Sequence, residues 1–149
     1  MINFGVIGYG YWGPNLVRNL FEVAETQLIA VSDMREDRLQ QVVSRYPSVE
    51  VTTDYRHLLE NPKIDASAIA TPVSTHYDLA LQALEHGKHV IVEKPMTSNS
   101  EQAIHLIEEA RRRKLTLLVD HTFVYTGAVR KMKEIVSSGK LGDVLYYDS

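Results

Sequence analysis

The chain has 149 residues, a formal net charge of −3, 44% hydrophobic and 23% charged residues, and no cysteine. That length is enough for one globular domain with a sizeable core, and the absence of cysteine excludes disulfides and thiolate chemistry. The small negative charge gives no support to a nucleic-acid partner, and no apolar run is long enough to span a membrane.

The first predicted element is a buried strand over Asn3-Phe4-Gly5-Val6-Ile7. It runs straight into Gly8-Tyr9-Gly10-Tyr11-Trp12-Gly13, three glycines at G-x-G-x-x-G spacing between a strand and a helix. Dinucleotide binding uses this arrangement: Gly8 permits the tight turn, Gly10 lets the backbone approach a pyrophosphate, and Gly13 allows close helix–strand packing. Pro14 suits the first helical turn, where its missing N–H is not needed. The phosphate grip then falls to the backbone N–H groups of Tyr11, Trp12 and Gly13. Leu16, Leu20, Phe21 and Ala24 share the face expected to be buried. A second strand, Gln27 to Ser32, ends in Asp33, about twenty residues after Gly13, where an acidic side chain meets the adenosine ribose hydroxyls. The alternative is an α/β domain whose glycines serve only the turn.

Further on, Glu36 to Tyr46 reads as a helix with Leu39, Val42 and Val43 as its apolar side and Pro47 as its stop. Val49 to Thr52 is a short strand, and Asp54 to Glu60 a short helix capped by Asp54. Ile64 to Ala70 is a strand of small apolar residues ending in Thr71-Pro72. Thr75 opens the next helix, with Asp78 in capping-box position. Leu79, Ala83 and Leu84 point inward there, and Gly87 closes the helix. His89 to Val92 is a fifth strand ending in Glu93-Lys94-Pro95. Ser100 to Lys114 is a long helix, and Leu115 to Val119 a sixth strand followed by His121. Thr126 to Ser138 is another helix, and Asp143 to Tyr147 begin another strand.

Strands alternate with helices, and the central strands are continuous apolar runs. That predicts an α/β fold: a doubly wound parallel sheet of Rossmann type, ordered 3-2-1-4-5-6, with ligands at the carboxyl ends of the strands where the order reverses. Residues 1–123 are expected to form the dinucleotide-binding domain, and 124–149 a linking helix and the start of a truncated second α/β domain. Thr71-Pro72, Glu93-Lys94-Pro95 and His121 all fall at strand ends bordering that crevice. There Lys94 is suited to donate to a substrate oxygen and Glu93 to hold a ribose hydroxyl. The alternative is a solvated Lys94 paired with Glu93.

At these residues the chain resembles the N-terminal domain of the Gfo/Idh/MocA oxidoreductases. The carriers are Gly8 to Gly13, Ala70-Thr71-Pro72 with His76, and Gly87-Lys88-His89-Val90-Ile91-Val92-Glu93-Lys94-Pro95. The resemblance covers essentially the whole chain. It implies NAD(P)-dependent oxidation or reduction at a sugar or cyclitol carbon, with Lys94 as the catalytic residue near the nicotinamide and the substrate hydroxyl. By the same resemblance Glu93 meets the nicotinamide ribose and Lys94-Pro95 is a cis peptide. Thr71, Pro72 and His76 border the ribose, and His121, Thr122 and Phe123 border the nicotinamide. The spelling from Gly10 to Asn15 is similar to the branch that oxidises C3 of UDP-N-acetylated hexosamines or their uronic acids.

Family members run to more than twice this length and carry an Asp/His pair for the substrate proton in a second domain. No Asp-x-x-x-His follows Lys94 here. The chain therefore reads as the cofactor-binding portion of a cytoplasmic, homo-oligomeric sugar oxidoreductase, inactive by itself. Asp33 would repel a 2′-phosphate, so NAD is expected over NADP, although Arg35 two residues on complicates that choice. The competing functions are a non-catalytic NAD(H)-binding module and a methyltransferase-like nucleotide-binding domain. No metal is expected: His86 and His89 are separated by a helix-ending glycine, and the basic run Arg111 to Lys114 suits a solvated helix end.

Overall fold

The computed structural model describes residues 1–148. Strands and helices alternate: β1 (Ile2–Ile7), α1 (Gly13–Glu22), β2 (Thr26–Ser32), α2 (Glu36–Arg45), β3 (Glu50–Thr52), α3 (Arg56–Glu60), β4 (Ala66–Ile69), α4 (His76–Glu85), β5 (His89–Glu93), α5 (Ser100–Arg113), β6 (Leu117–Asp120) and α6 (Gly127–Ser137). The six strands form one parallel sheet in the order β3-β2-β1-β4-β5-β6, as the alternation predicts. The direction of winding reverses between β1 and β4, beside the glycine turn. No helix is long and apolar enough to cross a membrane among the described residues.

The sheet is covered on both faces because its strands are apolar on both. Period-two alternation sends Phe4 and Val6 of β1 into one cluster, with Val17, Leu39 and Val42 from α1 and α2. Ile7 joins the other, with Leu79, Ala83, Leu84, Leu106 and Ala110 from α4 and α5. Leu106 is fully buried there. Leu106→Ala should cost about 3 kcal/mol and lower the Tm by roughly 6–12 °C in a thermal melt; a shift under about 2 °C would mean that this layer does not hold the domain together.

Several local expectations are corrected. On α1 the fully buried side chain is Val17, while Leu16 and Leu20 are only partly covered and Phe21 and Ala24 are exposed. The helix stops at Glu22, so Ala24 leaves its face, and Phe21 lies against the Tyr46 ring at 4.8 Å between centroids. Val43 of α2 is also exposed. Thr75 and Asp78 form no capping box. A 3-10 turn over Val73–Thr75 precedes α4, and the Thr75 hydroxyl donates back to the Pro72 carbonyl. Asp54 sits just ahead of α3, accepting from the Arg56 backbone N–H. Gly87 closes α4 as expected, at φ +75°, its N–H donating to the Leu84 carbonyl. Asp143 to Tyr147 form no strand and are exposed. Helix α6 has no buried residue.

Candidate functional site

Above the carboxyl ends of β1, β2, β4 and β5 lies a cleft of about 1220 Å³. That exceeds the roughly 300–1,000 Å³ of usual small-molecule sites and suits an extended ligand. Its floor is the turn from β1 into α1. Gly8 has φ +98°, and a Cβ there would lie 2.6 Å from the Ala70 carbonyl oxygen, so the turn and the close approach to β4 both require glycine. A Cβ on Gly13 would run into the Gly8 carbonyl oxygen, which is why α1 can start so close to β1. Gly10 differs: its added Cβ would meet only the Arg38 guanidinium, at 3.4 Å. Its bareness serves space in the cleft rather than packing.

Within this turn the side chain of Tyr9 is buried in the core beneath α1, while its backbone N–H donates to Asp33 Oδ2 at 2.7 Å. The N–H groups of Tyr11, Trp12 and Gly13 have no protein acceptor among the described residues, and no side chain caps α1. A helix start of this kind presents unpaired donors and the positive end of its dipole to an anion.

At the end of β2, Asp33 is nearly buried and heavily engaged. Besides Tyr9, its Oδ2 accepts from Arg38 Nη1 at 3.3 Å, and Oδ1 accepts from the Arg35 backbone N–H at 2.9 Å. Oδ1 keeps one lone pair for a ribose hydroxyl. The Arg35 side chain turns away and pairs with Asp37 at 2.6 Å. The cation beside Asp33 is therefore Arg38, which sequence reading did not single out. Its position one helical turn into α2 is the only sequence signal that pointed there.

The far side of the cleft is built by the loops after β4, β5 and β6. Thr71 and Pro72 line it. His76 is fully buried behind them, its Nδ1 2.8 Å from the Pro95 carbonyl oxygen and its Nε2 2.8 Å from that of Thr71. The imidazole ties the loop after β4 to the loop after β5 and has no nitrogen left for a cofactor. Lys94-Pro95 is a cis peptide, as the resemblance implies. Lys94 is exposed and lines the cleft, and its Nζ makes no hydrogen bond or ion pair among the described residues. Glu93 is not its ion-pair partner: the carboxylate takes only the Lys94 backbone N–H, at 3.2 Å.

Glu93 is almost buried, and burial together with the neighbouring Asp120 carboxyl pushes its pKa up to about 7. Asp120 stands beside it on β6 in register and accepts from Trp12 Nε1 at 3.4 Å. Nothing local in the sequence marks Asp120; strand register alone brings it here. His121 does not line the cleft; Thr122 and Phe123 do. Its backbone starts a 3-10 turn that carries the side chain outward, where it is exposed. No group of three or more potential metal ligands occurs among the described residues.

The site fits a dinucleotide on three observations. The glycine turn offers unpaired N–H groups and bare backbone, Asp33 retains an acceptor, and Glu93 Oε1 is buried without a partner.

Comparison with known proteins agrees. The sequence model of the oxidoreductase family with an NAD-binding Rossmann fold matches residues 2–121. Myo-inositol 2-dehydrogenase of Thermotoga maritima is 30% identical over 95% of the chain and 42% of its own length. The dTDP-3,4-didehydro-2,6-dideoxy-alpha-D-glucose 3-reductase of Saccharopolyspora spinosa is 29% identical over 96% of the chain and 43% of its length. A 3-ketoreductase from Actinomadura kijaniata, crystallised with NADP and TDP-benzene, superposes with a TM-score of 0.85 at 30% identity, covering 93% of the chain and 42% of that protein. The chain thus spans about two fifths of the length of the relatives it matches.

Proposed function

The chain belongs to the Gfo/Idh/MocA oxidoreductase family, whose NAD-binding Rossmann domain it carries, and from that premise we propose that it is the cofactor-holding part of an enzyme acting on a hydroxyl carbon of a cyclitol, sugar or nucleotide sugar. The inositol dehydrogenase and the dTDP-sugar reductase among its relatives support that substrate class. The spelling of Gly10 to Asn15 favours a UDP-N-acetylhexosamine or uronate within it. The family match stands against the methyltransferase-like alternative.

One observation carries the reading: a single cleft has unpaired backbone donors at the glycine turn, an acidic acceptor at Asp33 and a free cation at Lys94. In this assignment the N–H groups of Tyr11, Trp12 and Gly13 hold the pyrophosphate, and Asp33 Oδ1 takes the adenosine ribose. Glu93 and the Thr71-Pro72 backbone border the second ribose. Bound nicotinamide supplies the hydride chemistry, and the protein supplies placement. Lys94 Nζ donates to the substrate oxygen and stabilises negative charge as it develops there. His76 acts at one remove, holding the two loops in place. Residues 124–149 are assigned to the link toward a substrate domain, supported by the unburied faces of α6.

Cofactor choice follows from Asp33 and Arg38 together. A 2′-phosphate about 4 Å from Asp33 would be disfavoured by at most about 4 kcal/mol. Arg38 offsets part of this and solvent screens more, leaving about 1 kcal/mol, or roughly fivefold, in favour of NAD. Trp12, the single tryptophan, lines the cleft and reports binding by fluorescence. Titration should give an NADH Kd roughly fivefold below that of NADPH, and Arg38→Ala should widen the gap by weakening NADPH. Tighter binding of NADPH to the unaltered chain would reverse the choice, and no response to NADH, NADPH or ADP-ribose would overturn the proposed function.

A further inference from the structure

The cleft has two ends, each with a carboxylate and a cation. Asp33 and Arg38 occupy one, where the adenosine half belongs, and the glycine turn lies between. Glu93, Lys94 and Trp12 occupy the other, which leaves that end to the nicotinamide half. The parallel register of β5 and β6 sets Glu93 directly beside Asp120, and in-register neighbours place their side chains on the same face, about 4.8 Å apart at the backbone. Beside Glu93, the Asp120 carboxyl adds to burial in raising the pKa of the Glu93 carboxyl, while Glu93 Oε1 is buried with no hydrogen-bond partner among the described residues. Two ionised carboxylates set side by side in a buried corner repel one another and have only acceptors to offer, so the corner favours a proton on Glu93.

Among the described residues the one cation that acts on Glu93 is Lys94, whose charge lowers the carboxyl pKa by less than burial and Asp120 raise it. Lys94 offers its backbone N–H and sends its Nζ to solvent. From the glycine turn comes only the neutral Trp12 Nε1–H, which donates to Asp120. From α4, His76 is turned onto the Thr71 and Pro95 carbonyls. His121, next along the chain from Asp120, is exposed. The turn after β6 contributes Thr122 and Phe123, without charge.

We propose that Glu93, set beside Asp120, senses the oxidation state of the cofactor, releasing its proton when the positively charged ring of NAD⁺ arrives and keeping it when the ring is the neutral one of NADH. The inference rests on the cofactor reading above and extends it. The physical cause is electrostatic: a positive charge entering a poorly hydrated corner stabilises the doubly ionised pair, whereas a neutral ring leaves the repulsion between the carboxylates uncompensated. The balance is simple. The protonated pair plus NAD⁺ gives the ionised pair with NAD⁺ bound and one proton in solvent. Reduction of the ring removes the positive charge and returns a proton to the pair.

Burial and the Asp120 neighbour hold the Glu93 carboxyl at about 7, so the exchange falls in an accessible range. An opposite charge at close range lowers a carboxyl pKa by about one to three units. With a drop of one unit, calorimetry near pH 6.5 in two buffers of different ionisation enthalpy should count about half a proton released per NAD⁺ bound. NADH should release almost none. The sign follows: NAD⁺ affinity rises about tenfold as pH increases through the window around 7, while NADH affinity does not.

Asp120→Asn removes the neighbouring charge and should reduce the release, and Glu93→Gln, which removes the titrating group, should abolish it. Equal proton release with both cofactors, or undiminished release by either folded variant, overturns the inference and leaves the cofactor site standing. Binding of neither cofactor at any pH overturns both. The comparison of NAD⁺ with NADH on the unaltered chain decides the matter even if both variants fail to fold.

Discussion

Gly8→Ala should destabilise the protein by about 3–5 kcal/mol, combining the cost of a left-handed backbone for alanine with a collision against β4. The φ of +98° and the 2.6 Å approach of the added Cβ to the Ala70 carbonyl oxygen leave no rotation that relieves both, since the obstacle is backbone. Gly10→Ala is the informative contrast. Its Cβ meets only the tip of a flexible arginine, so the variant should fold with a Tm within about 2 °C of the parent. It should nevertheless lose NADH affinity by roughly 10- to 100-fold, because the methyl occupies space the pyrophosphate needs. Thermal melts and Trp12 fluorescence titrations separate the two effects. If Gly10→Ala keeps full affinity, the ligand does not lie against this turn.

Lys94→Ala should have the largest effect on turnover. In a chain that includes the substrate-binding remainder, kcat should fall by roughly 10²- to 10⁴-fold, the range for a positioned proton donor or charge stabiliser. NADH affinity should change by less than about threefold, and Tm should hold, because the ammonium makes no contact within the fold. Steady-state kinetics alongside a binding titration test this. Undiminished kcat would remove Lys94 from the chemistry and leave it a solvated strand-end charge.

How much was readable in advance depended on the range of the interaction that decides each feature. The element order and the sheet follow from local periodicity and turn chemistry, which lie within a few residues of one another. The glycine turn, the Gly87 helix stop and the cis Lys94-Pro95 peptide sit where motif and resemblance put them. The capping box at Thr75 was misjudged because a 3-10 turn competes for the same hydroxyl. On α1, small rotations decided between Val17 and its neighbours as the buried residue.

The site residues divide the same way. Gly8, Gly10, Tyr11, Trp12, Asp33, Thr71, Pro72, His76, Glu93 and Lys94 line one cleft. Gly13 supports it from below, His76 also clamps the loops behind it, and His121 lies outside. Arg35, the cation nearest Asp33 in the sequence, is captured by Asp37, and Arg38 in the first turn of α2 takes the place beside Asp33.

The chain by itself determined a parallel, doubly wound sheet and a glycine turn placed to open onto its crevice, because hydrophobic period, chain direction and steric freedom at glycine are properties of short segments. Only the tertiary structure decided that Asp33 is held by Tyr9 and Arg38, that His76 clamps two loops, and that Glu93 and Asp120 stand side by side. Those relations join residues far apart in sequence. They are set by strand register and helix docking, which arise from packing of the whole domain rather than from any local stretch.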